Sequence, residues 1–351
     1  MTPIHKKTTV LIVDDSPTIR DIFRAIFESD PEVQVIGEAA NGLEAVEFVN
    51  QQKPDIITMD VFMPKLNGTE AIQQIMGSSP TPILVVTTAK DASIAFQCLS
   101  KGALEVIEKP DFEYVQDEKK RKQLIAKLKS LASVPVVTHL AGRSRSKLRD
   151  IPLESRFKKI VAICSSTGGP KALSILLGQI PAEFPYPIMI TQHMYEGFIH
   201  GLVEWLQTTT PLKVKVAEAG ESIKPGVVYI APTGKHMEVT TAETIRLTME
   251  DPVEGHRPSG EKLFGSVAKA FGSRAIGVIL TGMGGDGSTN LGKIKDAGGV
   301  TIAQDEKTCV VFGMPREAIL KGNAKIVLPL IEIAPELIKF SSEKVVSSLT
   351  K

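Results

Sequence analysis

The 351-residue sequence has only three cysteines, no excess of charge of either sign, and no apolar run approaching membrane-spanning length. Cys98, Cys164 and Cys309 are odd in number, widely spaced and form no C-x-x-C pair. This argues against a disulfide framework or a thiolate zinc site and fits a reducing compartment. Lys plus Arg total 41 and Asp plus Glu 40, so net charge makes no case for nucleic acid or anionic lipid as a partner. Lys6-Lys7 is followed by only a short apolar run, residues 10–13, before Asp14-Asp15 interrupts. That is too short for the core of a signal peptide. The expectation is a soluble cytoplasmic protein with no membrane insertion. With 42% apolar residues, the chain has material for two hydrophobic cores, and its length suggests two domains.

What is present is alternation. Residues 10–13 (VLIV) are closed by two aspartates, the pattern of a strand buried on both faces. Pro17 then opens a helix over 18–28, with Ile19, Ile22, Phe23, Ile26 and Phe27 on one face. Further strands are expected at 33–39, 55–59, 82–86 and 105–107, and helices at 43–49 and 117–132. Such alternation implies an α/β fold, a doubly wound parallel sheet whose crevice lies at the carboxyl ends of its strands. Those ends carry Asp14, Asp15, Asp60, Thr87 and Lys109. One acid after a strand is usually a helix cap. Three converging carboxylates instead suit a hard cation such as Mg²⁺, and a lysine and a hydroxyl beside them suit a phosphoryl group.

In order and spacing, VDDS, DVFMPKLNG, VVTT and EKP resemble a two-component receiver domain. The resemblance implies a phosphoacceptor at Asp60, metal-binding acids at Asp14 and Asp15 beside Asp60, a switch hydroxyl at Thr87 and a phosphate partner at Lys109. It also implies a histidine kinase as phosphodonor. Residues 133–157 then lose all apolar periodicity and carry Pro135, Pro152 and the run Arg143-Ser144-Arg145-Ser146-Lys147. No aromatics interleave with those charges, so a solvated tether is expected rather than a nucleic-acid patch. The expected division is a receiver over 1–132, a linker over 133–157 and a second domain over 158–351.

The second half resumes the alternation, with strands expected at 160–163, 187–191, 214–217, 227–230, 245–248 and 275–281, and helices from Pro170 and over 198–206. This is a second doubly wound α/β domain with a mainly parallel sheet. Ser166, His193 and Asp286 each follow a strand, and parallel strands bring such positions into one crevice. An imidazole can take the proton of a hydroxyl nucleophile, a carboxylate on its far nitrogen can orient it, and N–H groups at a helix start can face an oxyanion. Against this, a lone His after a strand is more often structural, and Ser-Thr-Gly-Gly more often turns a corner or holds a phosphate. The segment AICSSTGGPKAL lacks the Walker spacing, the dinucleotide fingerprint and the G-x-S-x-G elbow. Spacing alone leaves open a Ser-His-Asp hydrolase or a non-catalytic α/β binding module. No basic recognition helix supports a transcriptional regulator.

The blocks SSTGGPKAL, TQHM, YIAPTGKHM, HRPS, GVILTGMGGDGS and AQDEKTCVVFGMPREAI resemble the catalytic domain of chemotaxis protein-glutamate methylesterases, in order and behind a receiver as in that family. The resemblance implies hydrolysis of glutamate γ-methyl esters on chemoreceptor cytoplasmic helices with release of methanol, deamidation of receptor glutamines, and no cofactor for the hydrolysis. It assigns Ser166 as nucleophile, His193 as base and Asp286 as orienting acid, and gives Cys164 and Ser165 no catalytic part. The family usually has Gly-Ala where this chain has Cys164-Ser165, and often two prolines where it has Tyr195-Glu196. His236, His256 and Arg257 fall in matched blocks and are expected to line the cleft or to be structural, with His236 structural.

Overall fold

Continuous apolar strands and one-sided helices build two units, Met1–Arg143 and Ser144–Lys351. The computed structural model describes residues 6–136 and 159–342. The expected linker lies outside the described residues from position 137 onward.

The first unit runs β1 (Thr8–Val13), α1 (Pro17–Glu28), β2 (Val33–Ala39), α2 (Gly42–Gln51), β3 (Ile56–Asp60), α3 (Gly68–Ser78), β4 (Ile83–Thr87), α4 (Ala92–Ser100), β5 (Glu105–Glu108), α5 (Phe112–Gln116) and α6 (Glu118–Ala132). Its sheet has the order β2-β1-β3-β4-β5, and every neighbouring pair is parallel. All residues of β3 and β4 are buried, as a sheet covered on both faces demands. Ile22, Phe23, Ile26 and Phe27 bury one face of α1, each contributing roughly 1.5–3 kcal/mol of transfer free energy. The chain leaves β1 for β2 on one side and returns to β3 on the other, so the ends of β1 and β3 flank a switch point of the sheet. The helices α3 and α4 extend the reading of the sequence, with Ala71, Ile72, Ile75 and Met76 forming the inner face of α3.

The second unit runs β6 (Ile160–Ser165), α7 (Gly169–Gly178), β7 (Ile188–Gln192), α8 (Ile199–Thr209), β8 (Lys213–Val216), β9 (Val227–Ile230), β10 (His236–Val239), β11 (Ile245–Thr248), α9 (Gly260–Phe271), β12 (Ala275–Ile279), α10 (Asn290–Asp296), β13 (Val300–Gln304), α11 (Met314–Leu320), β14 (Ile326–Leu328) and α12 (Leu330–Ser342). Seven strands form one parallel sheet in the order β14-β13-β12-β6-β7-β9-β8. The strands β10 and β11 pair antiparallel as a separate hairpin. The strand expected over 275–281 stops at Ile279, because the Thr281 N–H is taken by the Gln304 side chain instead of a ladder partner (2.9 Å). The fold switches direction around β6, which lies between β12 and β7, and the carboxyl ends of these three strands define the crevice.

Candidate active site

Ser165 and Ser166 end β6 differently. Ser165 is fully buried, and its hydroxyl donates to Gln192 Oε1 at 2.6 Å. Ser166 is only partly buried, and its N–H donates to the Thr281 carbonyl at 3.0 Å. The turn after it depends on Gly168, which has φ of 75° at the N-cap of α7; a Cβ there would lie 2.5 Å from the Val310 Cβ.

Gln192, the last residue of β7, clamps this corner. Its Nε2 donates to the carbonyls of Ser166 (2.9 Å) and His193 (2.8 Å), while the His193 N–H donates to the Ser165 carbonyl (3.0 Å). Side chain and backbone thus hold the ends of β6 and β7 in one arrangement. His193 Nε2 then meets Asp286 Oδ2 at 2.7 Å. The other ring nitrogen, Nδ1, is buried with no hydrogen-bond partner among the described residues.

Asp286 is held at the N-terminus of α9. It accepts from Ser259 Oγ at 2.6 Å, the Gly260 N–H at 2.6 Å and the Glu261 N–H at 3.2 Å. Burial opposes ionisation of this carboxyl, but the bonds from His193, Ser259 and Gly260 prevail and hold its pKa below the ordinary value. An ionised Asp286 facing an imidazole fixes its tautomer and the orientation of its ring. Cys164 lies behind the pair, its Sγ 3.9 Å from Asp286 Oδ2. Burial, and then the Asp286 charge, push its thiol well above the ordinary value, so it is no thiolate nucleophile. Cys164, His193 and Asp286 bring donor atoms within 4.8 Å of one another, yet the Asp286 oxygens are already engaged by four donors.

The residues in the block HRPS take separate places. The imidazoles of His256 and His193 stack with centroids 4.0 Å apart and planes 3° from parallel. Burial, followed by the neighbouring His193, lowers the pKa of His256 to about 4. A histidine depressed in the folded state contributes stability that is full above its unfolded pKa and is lost as pH falls through the folded value. The second unit is therefore expected to lose stability between about pH 6.5 and pH 4, and His256→Phe to flatten that part of the profile. Melting temperatures of both proteins across this range check it; parallel curves would exclude the linkage. Arg257 Nη1 donates to the carbonyls of Met249 (3.1 Å) and Glu250 (3.2 Å), fastening the loop. His236 is fully buried with Nε2 against the Asp251 carbonyl at 3.1 Å, a structural arrangement.

In the first unit, donor oxygens of Asp14, Asp15 and Asp60 lie within 4.8 Å of one another. Lys109 Nζ lies 2.8 Å from carboxylate oxygens of both Asp14 and Asp60. Burial and the neighbouring Asp14 raise the pKa of Asp60, against the opposing pull of Lys109 and the Val61 N–H. Three oxygen donors so arranged fit a hard divalent cation, which would relieve that repulsion. Thr87 is buried at the end of β4, and its carbonyl accepts from the Lys109 N–H at 2.9 Å.

The family model described as CheB methylesterase matches residues 161–337, and that described as response regulator receiver domain matches residues 10–117. The chain belongs to the CheB methylesterase family. The "Protein-glutamate methylesterase/protein-glutamine glutaminase 1" of Syntrophus aciditrophicus is 42% identical over 95% of this chain and 98% of its own length. The "Protein-glutamate methylesterase/protein-glutamine glutaminase" of Pyrococcus horikoshii is 38% identical over 95% of this chain and 94% of its own. Among solved structures, the catalytic domain of the Thermotoga maritima CheB methylesterase is similar with a TM-score of 0.51 at 43% identity, covering 52% of this chain and 98% of that one. Residues of this arrangement that reading the sequence did not single out are Gln192 and Ser259. Ser259 had a visible signal, a serine directly before a helical pattern at GEKLF, whereas nothing local marks Gln192.

Proposed function

We propose that this protein is a phosphorylation-controlled hydrolase that removes methyl esters from glutamate side chains of chemoreceptor cytoplasmic helices and deamidates receptor glutamines. Ser166 is the nucleophile, His193 the base and Asp286 the orienting acid. The observation that carries this reading is the His193–Asp286 pair, 2.7 Å apart, with the Gln192 amide tying the backbone of His193 to that of Ser166. Ser166 Oγ attacks the ester carbonyl as its proton passes to His193, on the nitrogen that does not face Asp286. The imidazolium, held by the Asp286 carboxylate, returns that proton to the departing methoxide, and methanol leaves. Water, deprotonated by the same imidazole, then attacks the acyl-serine; Ser166 Oγ leaves with the proton returned from the imidazolium, and the receptor keeps a glutamate side-chain carboxylate. N–H groups at the start of α7 supply positive potential for the oxyanion.

Residues 1–132 act as the receiver and 133–157 as the linker to the catalytic domain over 158–351. Asp60 accepts the phosphoryl group from a histidine kinase, Thr87 and Lys109 respond to it, and Asp14, Asp15 and Asp60 hold Mg²⁺. When bound, that ion offsets the charge of the carboxylates and the phosphoryl group. No helix among the described residues is long and apolar enough to cross a membrane. The cytoplasm is the compartment this reading requires, because the receptor helices acted on lie there.

The test is methanol release from membranes carrying methylated receptors. Because Ser165 is buried and already bonded to Gln192, Ser165→Ala is expected to cost less than about tenfold, far less than loss of Ser166. Equal loss in both variants, with both folded, would reopen the choice of nucleophile. Absence of methanol from the parent would refute the esterase reading.

A further inference from the structure

We infer that His256 is a positioning residue, a neutral aromatic platform that fixes the ring of His193 and stabilises it when it takes up a proton. This rests on the esterase reading and goes beyond it. The two rings lie 4.0 Å apart, centroid to centroid, with planes only 3° from parallel. Offset stacking fixes one ring plane against another over a large contact. A cation in the same place is attracted by the π face below it.

The segment carrying His256 is built to present it. Val253 and His256 exchange both backbone hydrogen bonds, N–H to carbonyl, at 3.0 and 2.9 Å. The two residues between them, Glu254 (φ 50°) and Gly255 (φ 84°), both occupy the positive-φ region that a tight two-residue hairpin turn of the primed type uses. Beyond His256, Arg257 ties the turn to the carbonyls of Met249 and Glu250. Three residues after His256, Ser259 begins the set of donors that grips Asp286. One short stretch, residues 253–261, therefore holds both partners of the pair: the face of His193 and the oxygens of Asp286.

The charge logic follows from this. In the reaction His193 is cationic while it carries the proton taken from Ser166 or, later, from water. A second cation stacked on it at 4.0 Å would oppose that step, whereas a neutral ring favours it. Burial keeps His256 neutral at physiological pH, with a pKa of about 4. The contact is thus stronger in the protonated state that follows attack than in the resting enzyme, which is the condition for raising kcat instead of lowering KM.

The experiment compares His256→Phe, His256→Leu and His256→Ala in the full-length protein, with Ser166→Ala as the silent control, by methanol release from methylated receptor membranes. Phe and Leu both fill the space, and only Phe offers a π face. His256→Phe is expected to keep kcat within about threefold of the parent, while Leu and Ala lose roughly 10- to 30-fold in kcat with KM within about twofold. If His256→Ala does not fold, the Phe and Leu pair carries the comparison alone. Leu as fast as Phe, both near the parent, would reduce His256 to packing and overturn the inference. A folded Phe variant as slow as Leu would show that the ring nitrogens matter, and would overturn it too. A silent parent, or a Ser166→Ala variant at full activity, would instead overturn the underlying reading.

Discussion

Ser166→Ala is expected to lower methyl ester hydrolysis by about 10⁴- to 10⁶-fold, His193→Ala by a similar factor, and the double variant by little more than either. The reason for the non-additivity is that neither group acts alone. A hydroxyl without its base is a poor nucleophile at neutral pH, and the base without a hydroxyl has no proton to take. What remains in each variant is the contribution of the oxyanion site and of substrate binding, which the two substitutions leave in common. Asp286→Asn is expected to be damaging but milder. The amide keeps one acceptor for Ser259 or the α9 N–H groups, but loses the charge that favours an imidazolium. Methanol release measured at saturating and at limiting receptor concentrations separates kcat from KM in each variant. The assignment fails if Ser166→Ala keeps full activity and Cys164→Ala loses it. The structure opposes that outcome, since the Cys164 thiol is fully buried and disfavoured as a thiolate.

Much of this arrangement could be read from the chain because it follows from strand ends. A buried parallel strand announces itself as an unbroken apolar run, and the polar residues at its end and just after it fall at the crevice. Asp14, Asp60, Thr87, Lys109, Ser166 and His193 are all marked this way. What could not be read depends on contacts between residues remote in sequence. Gln192 looks like the polar end of β7, and nothing near it reveals that its amide spans Ser165, Ser166 and His193. His256 sits in a loop between β11 and α9, and its stacking on a residue 63 positions earlier is a property of the folded chain. The strands β13 and β14 escape the reading for different reasons: in β13, buried at all but Val300, the polar Thr301 and Gln304 break the apolar run, whereas β14 has only three residues and none of them is buried. Choosing between a hydrolase and a binding module rested on the resemblance of whole blocks, because each local motif alone admits a structural role.

The second large effect is expected in the receiver. Labelling by a small-molecule phosphodonor is expected to require Mg²⁺ and to disappear in Asp60→Asn. Asp60 is buried, shares Lys109 with Asp14, and has its pKa raised by burial and by the adjacent carboxylate. Adding a phosphoryl group increases negative charge in a cluster that already strains against ionisation, so a divalent cation is the natural counterweight. Asp60→Asn removes the carboxylate oxygen that would attack phosphorus while leaving size and most packing unchanged. Its consequence reaches the ester chemistry. If the phosphorylated receiver shifts the enzyme by the usual allosteric coupling of about 1–3 kcal/mol, donor should stimulate methanol release by roughly 5- to 150-fold in the parent and not at all in Asp60→Asn. A fragment over residues 156–351 completes the comparison. Activity above that of the unphosphorylated full chain would mean that the resting receiver inhibits the hydrolase. Activity no higher, together with stimulation of the parent by donor, would mean that the phosphorylated receiver activates it. Labelling of Asp60→Asn at the parent's level would move the phosphoryl group to another residue. Loss of labelling with stimulation intact would separate phosphorylation from control, leaving the receiver at residues 10–117 without its assigned task.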